Sequence, residues 1–460
     1  MSSPARSMRD RLISGGGWAF GSKLAAGLMT VGISAVVTRL LSPAETGILF
    51  FSFTLVLVTA LVGRFGFDQA TVRLVAEARA LNNDQQAHQL AATGVLVVFL
   101  MLLIVAWLMS SHFVSDIIIG VFGYTLLGEI RWLLSVWLLV LGLQIYIAEI
   151  FRAFQDIRLA SLLSAKNIFG GVLSGAITGA ILVVLWLAGI KPSLKVIVTI
   201  IVGCGTFGIV VAILFLTRLL GRWSNIRWNY ASAVSLFKTG GWLLLTNLAM
   251  LAMAHGDILI LALFRPAEDV ALYAIASRLV KLIGIFLMAI NEVVTPFVAE
   301  LNVLNKKKRL EEMLRLSASL AAIPALMAAV FIFLFSGHIL NILFGDFYIR
   351  GSTLLLILSI GQAISVYSGS CGQVLIMTGH HRLMMVLSVV SSVLMLGVGA
   401  LISGTYGPEG LAVVVSSVVI AHNVTAVMLV RWCCGIWTHA SPKCMLSVIT
   451  DYKKLLQIRA

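Results

Sequence analysis

The sequence predicts an all-α polytopic membrane protein: about 12 transmembrane helices in two six-helix lobes related by a pseudo-twofold along the membrane normal. Three observations carry that expectation. The chain has 460 residues, 60% hydrophobic and only 11% charged, whereas a water-soluble domain carries about 25% charged residues. Apolar runs of about 20 residues recur along it, the length a helix needs to cross hydrocarbon. A motif of the first half returns in the second, as a repeated architectural unit would. Barrel strands would alternate apolar and polar residues in short segments; these runs are continuous.

Taken in order, the spans are expected at 17–39, 46–66, 88–110, 131–150, 165–189, 194–217, 239–263, 271–297, 316–337, 352–378, 383–403 and 410–431. The corresponding organisation is an N-terminal six-helix lobe over 1–217, a cytoplasmic linker over 218–238, a C-terminal six-helix lobe over 239–431 and a cytoplasmic tail over 432–460. The first span is too long for a cleavable signal peptide and has no small-residue cleavage site, so it is expected to remain as an anchor. The apolar but short segment within 113–130 is expected as an interfacial piece on the outer side.

The first two spans are joined by Leu41-Ser-Pro-Ala-Glu-Thr-Gly47, which returns as Phe264-Arg-Pro-Ala-Glu-Asp-Val270. Gly16-Gly17-Trp18 is matched by Gly240-Gly241-Trp242, Val75-Ala76-Glu77 by Val298-Ala299-Glu300, and Leu81-Asn82 by Leu304-Asn305. The matches keep one register with a single-residue slip. The first copy also reads as a helix start: Ser42 caps, Pro43 fits the first helical position, and Glu45 closes the capping box. An even number of spans per half makes the repeats parallel.

The loops agree with the count. With alternating sides, about 24 basic residues fall on one side and about six on the other, which orients both termini to the cytoplasm. The net charge of +14 is thereby explained without nucleic acid. The expected loops are short, so no separate catalytic domain is expected and function must lie within the bilayer.

The chemistry-bearing motifs are few. Gly203-Cys-Gly-Thr-Phe-Gly208 has dinucleotide-loop spacing but lies inside an apolar span with no preceding strand. Gly171, Gly175 and Gly179 recur every four residues, a spacing that lets helices approach closely. His380-His381 has no further ligand at metal spacing. The five cysteines form no framework. No cofactor or metal is expected, and the protein is not expected to be an enzyme.

Ionisable residues within spans carry more information, because a charge at the bilayer centre costs about 2.5–3.5 kcal/mol unless paired or hydrated. Arg278 and Lys281 stand one turn apart on one face of the eighth span, with Asn291 and Glu292 about three turns on. The first span holds Lys23. The seventh holds Asn247, His255 and Asp257, and the repeat aligns Asn247 with Lys23. Two readings follow. Arg278, Lys281 and Lys23 line a hydrated cationic cavity that receives an anion, or Arg278 or Lys281 pairs with Asp257 to fix packing. Asp68-Gln69 and Asn291-Glu292 fall at equivalent inner ends of spans two and eight. Inner-end hydrogen bonding is the first reading for them, with Asp257, Glu292, Asp68, His255 and Asn247 together as candidates for coupling or gating.

The turn after span one, the Gly-Gly-Trp leading into spans one and seven, and Arg152-Ala-Phe-Gln-Asp156 after span four resemble the bacterial polysaccharide exporter and O-antigen (lipid-linked oligosaccharide) flippase family. That family belongs to the multidrug/oligosaccharidyl-lipid/polysaccharide exporter superfamily. The resemblance implies a flippase moving undecaprenyl-pyrophosphate-linked oligosaccharide across the inner membrane for O-antigen, exopolysaccharide or capsule synthesis. It further implies alternating access coupled to a proton or sodium gradient, and partners drawn from the lipid-linked substrate, membrane lipids and other polysaccharide-assembly proteins. A cation-coupled multidrug antiporter of the same superfamily is the alternative, and span one lacks the carboxylate such relatives tend to use. A membrane polymerase or ligase would be expected to carry a large outer loop.

Overall fold

The structure is a computed structural model that describes residues 8–164, 167–220, 230–442 and 444. Among the described residues the chain is helical without named strands. The helices are α1 (Met8–Leu40), α2 (Pro43–Arg64), α3 (Phe67–Ala80), α4 (Asp84–Ser110), α5 (His112–Phe122), α6 (Leu126–Ala153), α7 (Ile157–Leu163), α8 (Val172–Leu187), α9 (Leu194–Leu220), α10 (Tyr230–Phe264), α11 (Ala267–Val303), α12 (Lys307–Phe344), α13 (Ser352–Ser368), α14 (Cys371–Met377) and α15 (His381–Cys434).

Each expected span falls on helix. Among the described residues nine helices are long and apolar enough to cross a membrane. One of these, α15, carries two expected spans. The backbone leaves helical geometry between them at Gly407 (φ +64°, ψ −157°), just before Pro408. Leu24–Leu40 of α1 and α8 are shorter apolar stretches, so the inventory accommodates about twelve crossings. Three details differ from expectation. The fifth span begins only at Val172, after the short α7. The tenth is interrupted at Gly369 and Ser370, between α13 and α14. The expected interfacial piece contains an 11-residue helix, α5, whose cap Ser111 accepts the Val114 N–H.

Local signals explain the starts. Ser42 accepts the Glu45 N–H while Glu45 reaches back to the Ser42 N–H at 3.1 Å, a complete capping box with Pro43 opening α2. Asn83 and Asp156 cap α4 and α7 by accepting the Gln86 and Leu159 N–H groups. The amphipathic α3 was not expected, because its mean hydropathy is low. It buries Phe67, Ala70, Thr71, Val75 and Ala78 at helical spacing and exposes Arg73 and Glu77.

Packing divides the chain into two units: Leu28–Ala274, and Met1–Gly27 with Ile275–Ala460. The expected lobes follow the sequence repeat, whereas these units follow contacts; the two divisions differ over the first part of α1, α10 and the start of α11. In the first unit α6 is central, packing on α2, α3, α4, α5, α7 and α9. The stripe Gly171, Gly175, Gly179 meets α7, Met29 and Ile33, as a close-approach role requires. In the second unit α13 packs between α12 and α15. The segment 436–441 is tied across this unit by Thr438 Oγ1 to the Ser368 carbonyl (3.1 Å) and the Ala440 N–H to the Tyr367 carbonyl (2.8 Å).

Candidate functional site

The cationic pair is positioned by α11. Pro266 precedes this helix, and Glu268 and Asp269 occupy its first turn, where carboxylates complement the helix dipole. At 1.5 Å per residue, Arg278 and Lys281 lie about 17 and 21 Å from its start. The apolar crossing segment runs from Ala267 to Asn291, so both stand near mid-span. Their separation of three residues places them on one face. Arg278 is half-buried and Lys281 exposed.

Neighbouring contacts in the same unit define that face further. Gly284, three residues on from Lys281, lies so close to the Gln362 amide that a Cβ there would overlap it. Gln362 of α13 is thus a polar neighbour that the sequence reading missed: a neutral amide in an apolar run carries little insertion penalty to flag it. The next residue of α11, Ile285, packs against Gly27 of α1. Position 23 is one turn before Gly27 on the same face of α1. The side chains of Lys23 and Glu292 lie outside the described residues. Asn291 accepts a hydrogen bond from Ser370 Oγ.

The remaining candidates sit in the unit Leu28–Ala274. Asp68 is held by Arg64, whose Nε donates to both carboxylate oxygens at 3.0 and 2.9 Å. Both residues are buried, at 9% and 3% exposure. By sequence Arg64 counts among the inner-side basic residues. It folds inward because α3 continues from α2 through a sharp corner at Phe65 (φ +49°) and Gly66 (φ +72°). A Cβ at Gly66 would overlap the Gly240 carbonyl. The repeated Gly-Gly-Trp therefore has a packing reason at Gly240, which admits this corner. Next to Asp68, Gln69 Nε2 donates to Asn247 Oδ1 at 3.1 Å. The buried Thr71 and Tyr146 hydroxyls are 2.8 Å apart.

Asp257 is buried, and its Oδ1 accepts the Ile258 N–H at 2.9 Å. His255 is half-buried, edge-on to Phe53 at 6.3 Å. Arg278 and Lys281 thus share a face of α11, and separately Asn247 meets the residue after Asp68.

At the other end of this unit the two copies of the Pro-Ala-Glu turn meet. Gly47, one turn into α2, lies so close to the Ala267 carbonyl that no side chain fits. Tyr124 Oη donates to the Arg265 carbonyl at 3.0 Å. Burial, with the nearby Glu268 and Asp269 carboxylates, lifts this phenol to about 12, so it stays a donor at neutral pH.

Comparison with known proteins follows the same lines. The profile of the family described as polysaccharide biosynthesis protein matches residues 12–302, and that of the MatE family matches 243–401. A Haloferax volcanii protein assigned provisionally as a low-salt glycan biosynthesis flippase is 23% identical over 240 residues, 50% of this chain and 51% of its own length. A Shigella flexneri protein assigned provisionally as an O-antigen transporter is 28% identical over 139 residues, 30% of this chain and 32% of its own. The chain therefore spans about half of one of these relatives and about a third of the other. Among solved structures, a lipid II flippase superposes with a TM-score of 0.68 at 13% identity, covering 95% of this chain and 91% of that one. That likeness is one of fold.

Proposed function

Because this chain belongs to the polysaccharide biosynthesis protein family, the exporters and flippases of the multidrug/oligosaccharidyl-lipid/polysaccharide superfamily, we propose that it flips an undecaprenyl-pyrophosphate-linked oligosaccharide across the bacterial inner membrane. The product would feed O-antigen, exopolysaccharide or capsule assembly. A sugar-pyrophosphate headgroup cannot cross hydrocarbon unaided. A hydrated, positively lined passage replaces its solvation while the prenyl tail stays in lipid.

One observation carries this reading: Arg278 and Lys281 share a face of α11 near mid-span. A cation is costly there unless it meets an anion or water. Lys23 joins them as the third anion-binding residue. Asp257, Glu292, Asp68, His255 and Asn247 are the coupling or gating set, linking the step to a proton or sodium gradient. The protein acts without a cofactor and is not an enzyme. Both termini face the cytoplasm, and partners come from the polysaccharide-assembly machinery.

Replacing Arg278 and Lys281 together by Gln tests this. Surface polysaccharide is expected to fall by more than tenfold while the variant inserts at wild-type level; undiminished polymer would sink the cationic-cavity reading. A second reading, the cation-coupled multidrug antiporter, is favoured by the MatE match over 243–401. It would be preferred if loss of the gene raised intracellular drug and left polymer unchanged.

A further inference from the structure

Between α4 and α10, within the unit Leu28–Ala274, lies a groove of about 780 Å³. Its walls are hydrocarbon: Leu100 and Ile104 on α4, Val234 and Phe237 on α10, with Phe65 of the α2–α3 corner as floor. Phe237 is held there by aromatic contacts to Phe65 and Phe67, at 5.7 and 5.0 Å between ring centres. One charged residue lines the groove, Lys238. It is exposed and has no ion-pair partner among the described residues.

We propose that this groove is a binding site for an anionic glycerophospholipid, with an acyl chain along the α4–α10 wall and the phosphate against Lys238. A concave apolar surface on a membrane-spanning chain is filled by lipid hydrocarbon, so the open question is which lipid. The unpaired ammonium selects a phosphate-bearing headgroup without the compensating cation of a zwitterionic lipid. The charge bias places Lys238 on the cytoplasmic side, the leaflet whose anionic lipids attract juxtamembrane lysines. Glycerophospholipids are the abundant anionic lipids of that leaflet, so mass action favours them over scarce carrier lipids. Bound this way, the lipid bridges α4 to α10. The inference uses the membrane-spanning reading and the charge bias, and does not depend on the transported substrate.

Native mass spectrometry of the full-length protein in detergent, titrated with phosphatidylglycerol or with phosphatidylcholine of the same chains, tests the site. The wild type is expected to retain phosphatidylglycerol preferentially, and Lys238→Gln to weaken that retention by about fivefold. Gly241→Leu is the second variant. A Cβ at Gly241 meets only the Phe65 ring, at ordinary contact distance, and Gly241 lines the groove, so a leucine there takes up groove volume. It is expected to reduce retention of both lipids. Wild-type retention by Lys238→Gln, no loss with Gly241→Leu, or equal retention of the two lipids by the wild type would each overturn the proposal. Displacement of phosphatidylglycerol by equimolar undecaprenyl phosphate, lost in Lys238→Gln, would overturn the choice of occupant.

Discussion

Arg64 and Asp68 show how far one side chain's role depends on the corner beside it. Four residues apart and both buried, they form a two-bond ion pair, while Arg64 Nη1 has no hydrogen-bond partner. Removing one partner of a buried pair costs about 3–5 kcal/mol, because the other charge is left uncompensated; replacing both by apolar groups is often neutral. Asp68→Asn is therefore expected to lower the unfolding midpoint in detergent sharply. Arg64→Met with Asp68→Leu is expected to recover most of the loss. Near-wild-type unfolding of Asp68→Asn would reject this structural role for the ion pair, and lost polymer output beside it would leave Asp68 acting in coupling or gating alone. The sequence marked Asp68 but could not pair it, since Arg64 reads as one more inner-side charge until the left-handed Phe65 and Gly66 turn α3 back.

At the scale of elements, hydropathy and caps were sufficient for most of what crosses the membrane. Ser42, Pro43 and Glu45 act as read, because a capping box is a local interaction complete within four residues. α3 escaped because a half-buried amphipathic helix has the period of a core helix without the mean hydropathy of a span. The break between the last two spans was legible: the sequence leaves 404–409 between them, and the two helices of α15 meet there at the non-helical Gly407. Its φ and ψ lie in a region essentially confined to glycine, where another residue costs about 1–3 kcal/mol. Gly407→Ala is expected to destabilise the protein by that amount in a thermal melt in detergent. An unchanged melting temperature would show that the break relaxes to ordinary helix.

For the whole molecule, two kinds of division coexist. The repeat in sequence splits the chain between span six and span seven. Contacts group α10 and the start of α11 with the first-half helices from Leu28 onward, through Gly66 against Gly240, Gln69 to Asn247 and Gly47 against Ala267. A single-cysteine series in a cysteine-free background tests the expected topology. Positions near Lys306 and Arg382 should react with membrane-impermeant maleimide only after permeabilisation, and positions near Lys191 and Arg350 in intact cells. Uniform labelling of both sets would reject the twelve-span alternation.

Composition alone placed this chain in a membrane as helices, because the cost of burying charge and unpaired backbone in hydrocarbon is so large that it is written in residue counts and run lengths. The order of spans, the charge bias, the capped turn and the family resemblance were likewise legible, since each is local or repeated along the chain. Which polar groups meet was decided only in three dimensions. Gln362 against Gly284, Arg64 on Asp68 and the lipid-sized groove beside Lys238 join residues through corners and helix crossings whose geometry no periodicity encodes.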